Sequence, residues 1–542
     1  MAEGIELEEL RHECGIAAVY HRPGAAPSKL LPIAGDIQSA ARMIPRMLLD
    51  MQNRGQLAAG MTSFHPTRQA LLETHKDVGT VAEVFRLNQR AKLEQILSRH
   101  DGQAAIGHVR YATCGKDEKS YAQPFERSHG RKAKWFAFAF NGQLANFHEL
   151  KLELLEKGDY HLKRDTDTEI IMHAISYELQ DEGKVTDWRG VFARLAAKFD
   201  GAYNIVLLSA QGELIVARDP LGIRPLCIAQ ETHEDDPRAL GPMFAAASES
   251  VPLTHAGFRN VRSLEPGTMA IVSRDGVRIE RFAAKRGTAH CFFEWIYFAN
   301  VASTLDSTSV YLSRATLGRE LAALEDVPMG EDLIVVPVPD TAKAAADAMA
   351  FALKLPTVEG LMRNRYVGRT FIEGNASRAS KVRAKYTPLP EVLSGKRVIL
   401  VEDSIVRATT LTALVKEIRE QGGASEIHLR VACPPIIAPC YYGIDMSRRD
   451  ELIAPKYADL SGGRLSAAAQ DKLAKELGAD SLRYLPVGAL ARALGLSEDQ
   501  LCLACVTGRY PTPTGQKLYE IAGLAQSSAS GRAYELQTSH KV

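Results

Sequence analysis

Residues 397–410, RVILVEDSIVRATT, constrain the fold more than any other stretch of the chain. Val398 to Val401 run without a polar break, the pattern of a parallel strand buried on both faces. Glu402 and Asp403 follow at once, then a hydroxyl-rich turn, Ser404 to Thr410, leading into TLTALVKEIRE with apolar residues at helical spacing. A strand ending in two carboxylates, followed by backbone N–H donors and hydroxyls at a helix start, can hold a phosphate in the turn and sugar hydroxyls on the acids. The stretch therefore predicts an open α/β sheet with a ribose-phosphate site at its carboxyl edge. The bland alternative is an ordinary strand-to-helix connection with a polar turn.

At 542 residues the chain exceeds one typical core, so two or more domains are expected. Lys and Arg number 66 against 65 Asp and Glu, a formal net charge of +1 that favours neither nucleic acid nor an anionic membrane. No apolar run reaches the roughly 18 residues needed to span a bilayer. The start, MAEGIELEELRHE, is acidic and lacks the basic and apolar regions of a secretory signal, so the expected compartment is the cytoplasm. Eight cysteines in so long a chain make no disulfide framework and point to metal, catalysis or packing.

Several other segments carry chemistry-bearing residues. Cys14 directly precedes a strand-like run, CGIAAVYH, where a cysteine is more often buried filler. Arg110, in IGHVRYATCG, presents a planar fork suited to a carboxylate, or to a surface ion pair. FAFNG, 138–142, reads as a strand ending in a turn at Asn141–Gly142, and RDTDTE, 164–169, as a helix cap. FDGAYNIVLL, ARDPLGIRPL and SES (248–250) read as strand-rich. DLIVVPVPDTAKAAADAMA, 332–350, reads as a buried strand, a Pro-rich turn and an Ala-rich helix, with backbone donors at Asp340 to Lys343 able to bind pyrophosphate. RNRYVGRTF, 363–371, gathers cations around Gly368, and its bland reading is a solvated loop. Cys502 and Cys505 form a C-x2-C pair suited to two ligands of a metal or iron–sulfur centre. After residue 515 the composition becomes Ala, Ser, Gly and Gln rich, which predicts a poorly ordered tail.

The run DSIVR, set in its strand, acid pair and turn, resembles the signature of glutamine phosphoribosylpyrophosphate amidotransferases of the iron–sulfur type, and collinear matches extend from 14 to 515. The resemblance implies a propeptide at 1–13 and an α+β N-terminal-nucleophile glutaminase domain at 14–275, with stacked antiparallel sheets between helices. It further implies an α/β type I phosphoribosyltransferase domain with a mainly parallel sheet at 285–515, then a flexible tail at 516–542. Cys14, made N-terminal by trimming, would attack the glutamine side-chain amide, with its own α-amino group (reference pKa about 7.7–8.0) as base. Asn141 and Gly142 would form the oxyanion hole, while Arg110 and Asp167 bind the carboxylate and ammonium of glutamine. Ammonia would pass internally to C1 of phosphoribosylpyrophosphate, giving phosphoribosylamine, the first committed step of purine synthesis. Arg363, Arg365 and Arg369 would close over the pyrophosphate. Glu402 and Asp403 would hold ribose, directly or with Mg2+, and a turn carrying Ser404, Arg407, Thr409 and Thr410 the 5′-phosphate.

By the same resemblance Cys291, Cys440, Cys502 and Cys505 would bind a structural [4Fe–4S] cluster, zinc on the same thiolates being the alternative. Cys114, Cys227 and Cys433 match no ligand and are expected to pack. The implied partners are purine nucleotide inhibitors and further copies of the chain, as a homodimer or homotetramer. The sequence also departs from the family pattern. Asn53 stands for a histidine, Phe140 for another, Asn300 to Ser303 for an Arg-Pro-Asp-Ser run, Glu402 for an aspartate and Ala408 for a glycine. A methyl at 408 is expected to crowd the phosphate or strain a backbone needing positive φ. These departures keep open a glutamine amidotransferase with another acceptor, or a nucleotide-binding regulatory protein without turnover.

Overall fold

The structure, a computed structural model, describes residues 14–524 apart from 112–117, 159–160, 165, 181, 184, 233–239, 365–384, 447 and 458–464. The expected propeptide, residues 525–542 of the expected tail, Arg365, Arg369 and Cys114 lie outside the described residues.

Two antiparallel sheets make up the first half. The seven-stranded sheet runs, edge to edge, through Arg262–Ser263, Cys227–Thr232, Leu240–Ala247, Gly15–His21, Ala104–Arg110, Ala58–Phe64 and Leu72–Val78. The six-stranded sheet runs through Gly276–Arg281, Thr268–Ser273, Leu214–Arg218, Gly201–Ser209, Phe136–Leu144 and Phe125–Arg127. Side chains alternate across each strand, which is how one apolar run serves two layers. Ile16, Ala18 and Tyr20 face the second sheet, meeting Ala139, Val206 and Val216 in a shared core. Ala17 and Val19 face the other way, onto the Ile44–Asp50 helix through Ile44, Met47 and Leu48. The second sheet turns Phe136, Phe138 and Ile205 outward beneath helices Asp167–Glu178 and Trp188–Lys198. The result is the stacked helix–sheet–sheet–helix arrangement the resemblance implies.

The second half holds a four-stranded, wholly parallel sheet in the order Leu333–Pro337, Arg397–Glu402, Glu426–Val431, Ser481–Tyr484. Arg397–Glu402 is an interior strand, Val398 pairing with Ile334 on one side and Ile427 on the other. Val398 to Val401 are fully buried, as their unbroken apolar run requires. A continuous core joins the halves, from Val19 through Phe292 and Trp295 to Val335 and Leu400. Among the described residues no helix is long and apolar enough to cross a membrane.

Four local expectations are corrected. The Phe136–Leu144 strand runs on through Asn141 and Gly142, because Asn204 and Tyr203 pair with them and override the local turn signal. Ser250 opens a helix, Ser250–His255, instead of extending a strand. The antiparallel sheet passes residue 275, since Gly276–Arg281 completes a hairpin with Thr268–Ser273. Residues after 515 remain ordered to Leu524 in the Pro513–Leu524 helix, anchored by the buried Leu518 and by Thr514, whose N–H donates to Asp200.

Candidate active site

In the first half, the Gly15–His21 strand starts where Ala104–Arg110 ends, with Gly15 opposite Val109. This antiparallel register sets Cys14 beside Arg110 and Tyr111, and the Cys14 Sγ donates to the Tyr111 carbonyl at 3.6 Å. Cys14, Arg110, Gln123, Gly142, Asp167 and Thr168 line one narrow cavity. Asn141 Nδ2 donates to Ser248 Oγ at 3.3 Å, and the same oxygen accepts from the Ile16 N–H at 3.0 Å, tying Asn141 to the nucleophile strand. Gly142 has φ 143°, and a Cβ there would lie 2.1 Å from the Ala202 carbonyl oxygen, so only glycine fits. Asp167 opens the Asp167–Glu178 helix, but the cap itself comes from Thr166, which accepts from the Glu169 N–H. Burial lifts the Asp167 carboxyl to about 6. Phe140 also lines this cavity, and its carbonyl accepts from Nε2 of the fully buried His108.

At the carboxyl edge of the parallel sheet, Ser404 Oγ donates to Asp403 Oδ1 at 2.6 Å and Thr341 Oγ1 donates to Oδ2. Burial first, and then the neighbouring Asp403 charge, hold the Glu402 carboxyl well above the ordinary carboxylate range; burial raises Asp403 as well. The helix after the turn is Thr409–Glu420, so Thr409 and Thr410 sit on its first turn, and the buried Thr410 Oγ1 has no hydrogen-bond partner among the described residues. Ala408 adopts φ −76°, ψ −20°, ordinary right-handed helix, so the expected strain from its methyl is absent. Arg407 is paired with Glu451, and Arg363 with Asp340 at 2.7 Å. A cavity of about 1800 Å³ collects Asp340, Thr341, Arg363 and the 402–407 turn.

Sequence reasoning missed three groups around this cavity. Thr341 reaches Asp403 from the neighbouring strand's turn, a contact no local pattern announces. Lys385 lines the cavity, its ammonium lowered to about 8 by burial against the opposing pull of Glu402 and Asp403. Arg314 is buried and donates to the carbonyls of Trp295 (2.8 Å), Tyr297 (3.0 Å) and Ala299 (2.9 Å), fixing the wall formed by Tyr297 to Val301. That wall also unites two departures from the family pattern. Asn53 Nδ2 donates to the Phe298 carbonyl (2.8 Å) and to Glu249 Oε1 (3.2 Å), while the Asn300 N–H (2.7 Å) and Ser303 Oγ (2.9 Å) donate to Glu249 Oε2. Two changes 247 residues apart, 53 and 300, thus share one buried carboxylate, which Arg54 also pairs at 2.5 Å.

The four expected thiol ligands come from three segments drawn together by backbone pairing. His290–Cys291 pairs in parallel with Leu501–Cys502, Cys291 directly opposite Cys502. The Cys505 carbonyl accepts from the Ile437 (2.8 Å) and Ala438 (3.0 Å) N–H groups, bringing in the segment that carries Cys440. All four are buried. Burial, then Cys440, Cys502, Cys291 and Cys433 in turn, hold the Cys505 thiol well above its usual range, and burial pushes Cys502 up to about 12. Among the described residues no three His, Cys, Asp or Glu side chains converge to hold a single metal ion. Cys227 and Cys433 are buried, as packing residues should be.

A family model for a glutamine amidotransferase domain matches residues 86–283. The amidophosphoribosyltransferase of Methanothermobacter thermautotrophicus is 36% identical over 522 residues, covering 96% of this chain and 99% of its own. That of Bacillus subtilis is 34% identical over 517 residues, covering 94% and 96%. Among solved structures, glutamine phosphoribosylpyrophosphate amidotransferase from B. subtilis, complexed with ADP and GMP, superposes with a TM-score of 0.76 at 34% identity, covering 92% of this chain and 98% of that one. A second, described as the allosteric regulatory enzyme of purine biosynthesis, gives 0.77 at 33% identity, covering 92% and 97%. Likeness of this extent, carried through both halves and not confined to the glutaminase part, places the chain in the amidophosphoribosyltransferase family.

Proposed function

We propose that this protein forms 5-phosphoribosylamine from glutamine and phosphoribosylpyrophosphate, releasing glutamate and pyrophosphate. The observation that carries the reading is the pair of cavities on one continuous core, one around Cys14 and one around Glu402 and Asp403. Arg110 and Asp167 take the charged ends of free glutamine, and Cys14 Sγ attacks the side-chain amide carbon. Removal of residues 1–13 supplies the α-amino base. Asn141 Nδ2 and the Gly142 N–H stabilise the oxyanion, ammonia leaves, and water releases glutamate from the thioester. Ammonia kept from bulk water stays unprotonated and nucleophilic, and attacks C1 as the C1–O bond to pyrophosphate breaks.

In the acceptor cavity, the first turn of the Thr409–Glu420 helix with Ser404, Thr409 and Thr410 holds the 5′-phosphate, and Glu402 and Asp403 hold the ribose hydroxyls. The unpartnered Thr410 hydroxyl supports this role. Arg407 steadies the turn through Glu451, and the family resemblance assigns Arg363, Arg365 and Arg369 to the leaving pyrophosphate. Glu402 and Asp403 would hold Mg2+, directly or indirectly, beside the pyrophosphate. It would supply charge neutralisation there. Cys291, Cys440, Cys502 and Cys505 would hold a [4Fe–4S] cluster, which would supply a structural cross-link. Zinc on the same four thiolates is the alternative. Purine nucleotides are the expected inhibitors, a homodimer or homotetramer the expected assembly, and the cytoplasm the expected compartment. The regulatory reading without turnover rested on Ala408 together with Asn53, Phe140 and the altered 300–303 run, and the helical backbone at 408 answers the part of it that concerned strain.

The decisive experiment compares wild type with Cys14→Ala, supplying either glutamine or ammonia and following pyrophosphate release. Cys14→Ala should lose the glutamine reaction and keep the ammonia reaction. A wild type inactive with both nitrogen donors would reject the proposal.

A further inference from the structure

The Gly142 peptide is held from two sides. On one side is its own sheet, with Tyr203 opposite it in the Gly201–Ser209 strand. On the other is a residue of the second half of the chain: a Cβ placed on Gly443 would lie 3.1 Å from both the carbonyl carbon and oxygen of Gly142. Gly443 has φ +105°, so this close approach and this backbone both require glycine. The preceding carbonyl, of Tyr442, accepts from Arg224 Nε at 3.0 Å and Nη2 at 2.7 Å. Arg224 in turn pairs with Glu294 (3.5 Å), Glu294 with Arg54 (2.7 Å), and the Arg54 stem lies against Gly15, next to Cys14. Arg54, Arg224 and Glu294 are all at most 1% exposed, so each is fixed by its partners. The loop's far end is pinned by Tyr442 Oη at 3.0 Å from Thr512 Oγ1.

We propose that Tyr442 and Gly443 are positioning residues for the glutaminase reaction, backing the Gly142 carbonyl from the phosphoribosyl half of the chain and so steadying the residue whose N–H binds the oxyanion. The proposal rests on the reading of Asn141 and Gly142 given above. Its physical basis is that a donor aimed at a developing oxyanion works only when it is held beforehand; the contact falls on the Gly142 carbonyl, one peptide plane beyond the N–H, and acts on that donor by limiting rotation about the freely turning Gly142 Cα. Gly443 touches neither glutamine nor the acceptor cavity, so its effect should be confined to the acyl-transfer step.

The test is Gly443→Ala, assayed with saturating glutamine and, separately, with ammonia. The expected result is a fall in glutamine-dependent kcat of about 10- to 100-fold, with KM for glutamine and the ammonia-dependent rate unchanged. Arg224→Lys keeps the charge beside Glu294 but loses the fork on the Tyr442 carbonyl, and should show the same split if Gly443→Ala does not fold. Unaltered glutamine turnover in whichever variant folds, or glutamine and ammonia rates falling together, would overturn the proposal. Asn141→Ala serves as reference: if it leaves glutamine turnover intact, the oxyanion reading itself fails. If Asn141→Ala is impaired while the 443 and 224 variants are not, only the positioning role falls.

Discussion

Asp167 illustrates how a single residue can serve binding at a cost to folding. Burial raises its carboxyl to about 6, so the folded chain binds that proton more tightly than the unfolded chain, whose aspartates titrate near 3.9. Within that window acidification stabilises the fold at this site, and the stabilisation is lost as pH rises through about 6. Glutamine binding has the opposite dependence, because its ammonium needs the ionised acid. The kcat/KM for glutamine should therefore fall as pH drops below about 6 while ammonia-dependent turnover does not share that limb. Asp167→Asn should lose most glutamine affinity yet melt no lower than wild type. A glutamine KM indifferent to that substitution would remove Asp167 from the site. At this scale the sequence was most readable where neighbouring residues narrow the chemistry, as with the Glu402–Asp403 pair between an apolar run and a hydroxyl-rich turn. Thr341 and Lys385 stayed hidden because their neighbours are set by sheet order and not by spacing along the chain.

Among elements, the interior strand Arg397–Glu402 carries the acceptor site and was legible because burial on both faces leaves an unmistakable apolar run. Its partner strands lie about 65 residues before it and about 30 after, so nothing in the stretch itself could have named them. The converse case is Phe136–Leu144, where a local Asn-Gly turn signal is overridden by pairing with Gly201–Ser209. The same holds for Asn53 and Asn300: each reads as an isolated departure, and only the fold brings both to Glu249. Truncating the fully buried Ile399 to alanine should cost about 2–5 kcal/mol, read as a lower urea midpoint, because an interior strand between two others cannot collapse to fill the gap. A loss below about 1 kcal/mol would mean the sheet relaxes around the vacancy.

At the scale of the whole molecule, the two halves share one core, and backbone pairing brings together the three distant segments that carry the four thiols. Anaerobically purified protein should be brown and carry about four irons and four sulfides per chain. Zinc in their place would replace the cluster reading with a mononuclear one. The close approach of Gly443 to Gly142 has a further consequence, for synthesis on the ribosome. Domains generally fold as units and N-terminal parts first, so the antiparallel sheets around Cys14 have all their strands by Arg281. Gly443, which backs Gly142, emerges about 160 residues later, and Thr512, which meets the Tyr442 hydroxyl beside it, about 230 residues later. On the proposed roles, a nascent chain carries Cys14 well before the segment that backs Gly142 has been made, and should release no ammonia while it still lacks an acceptor site.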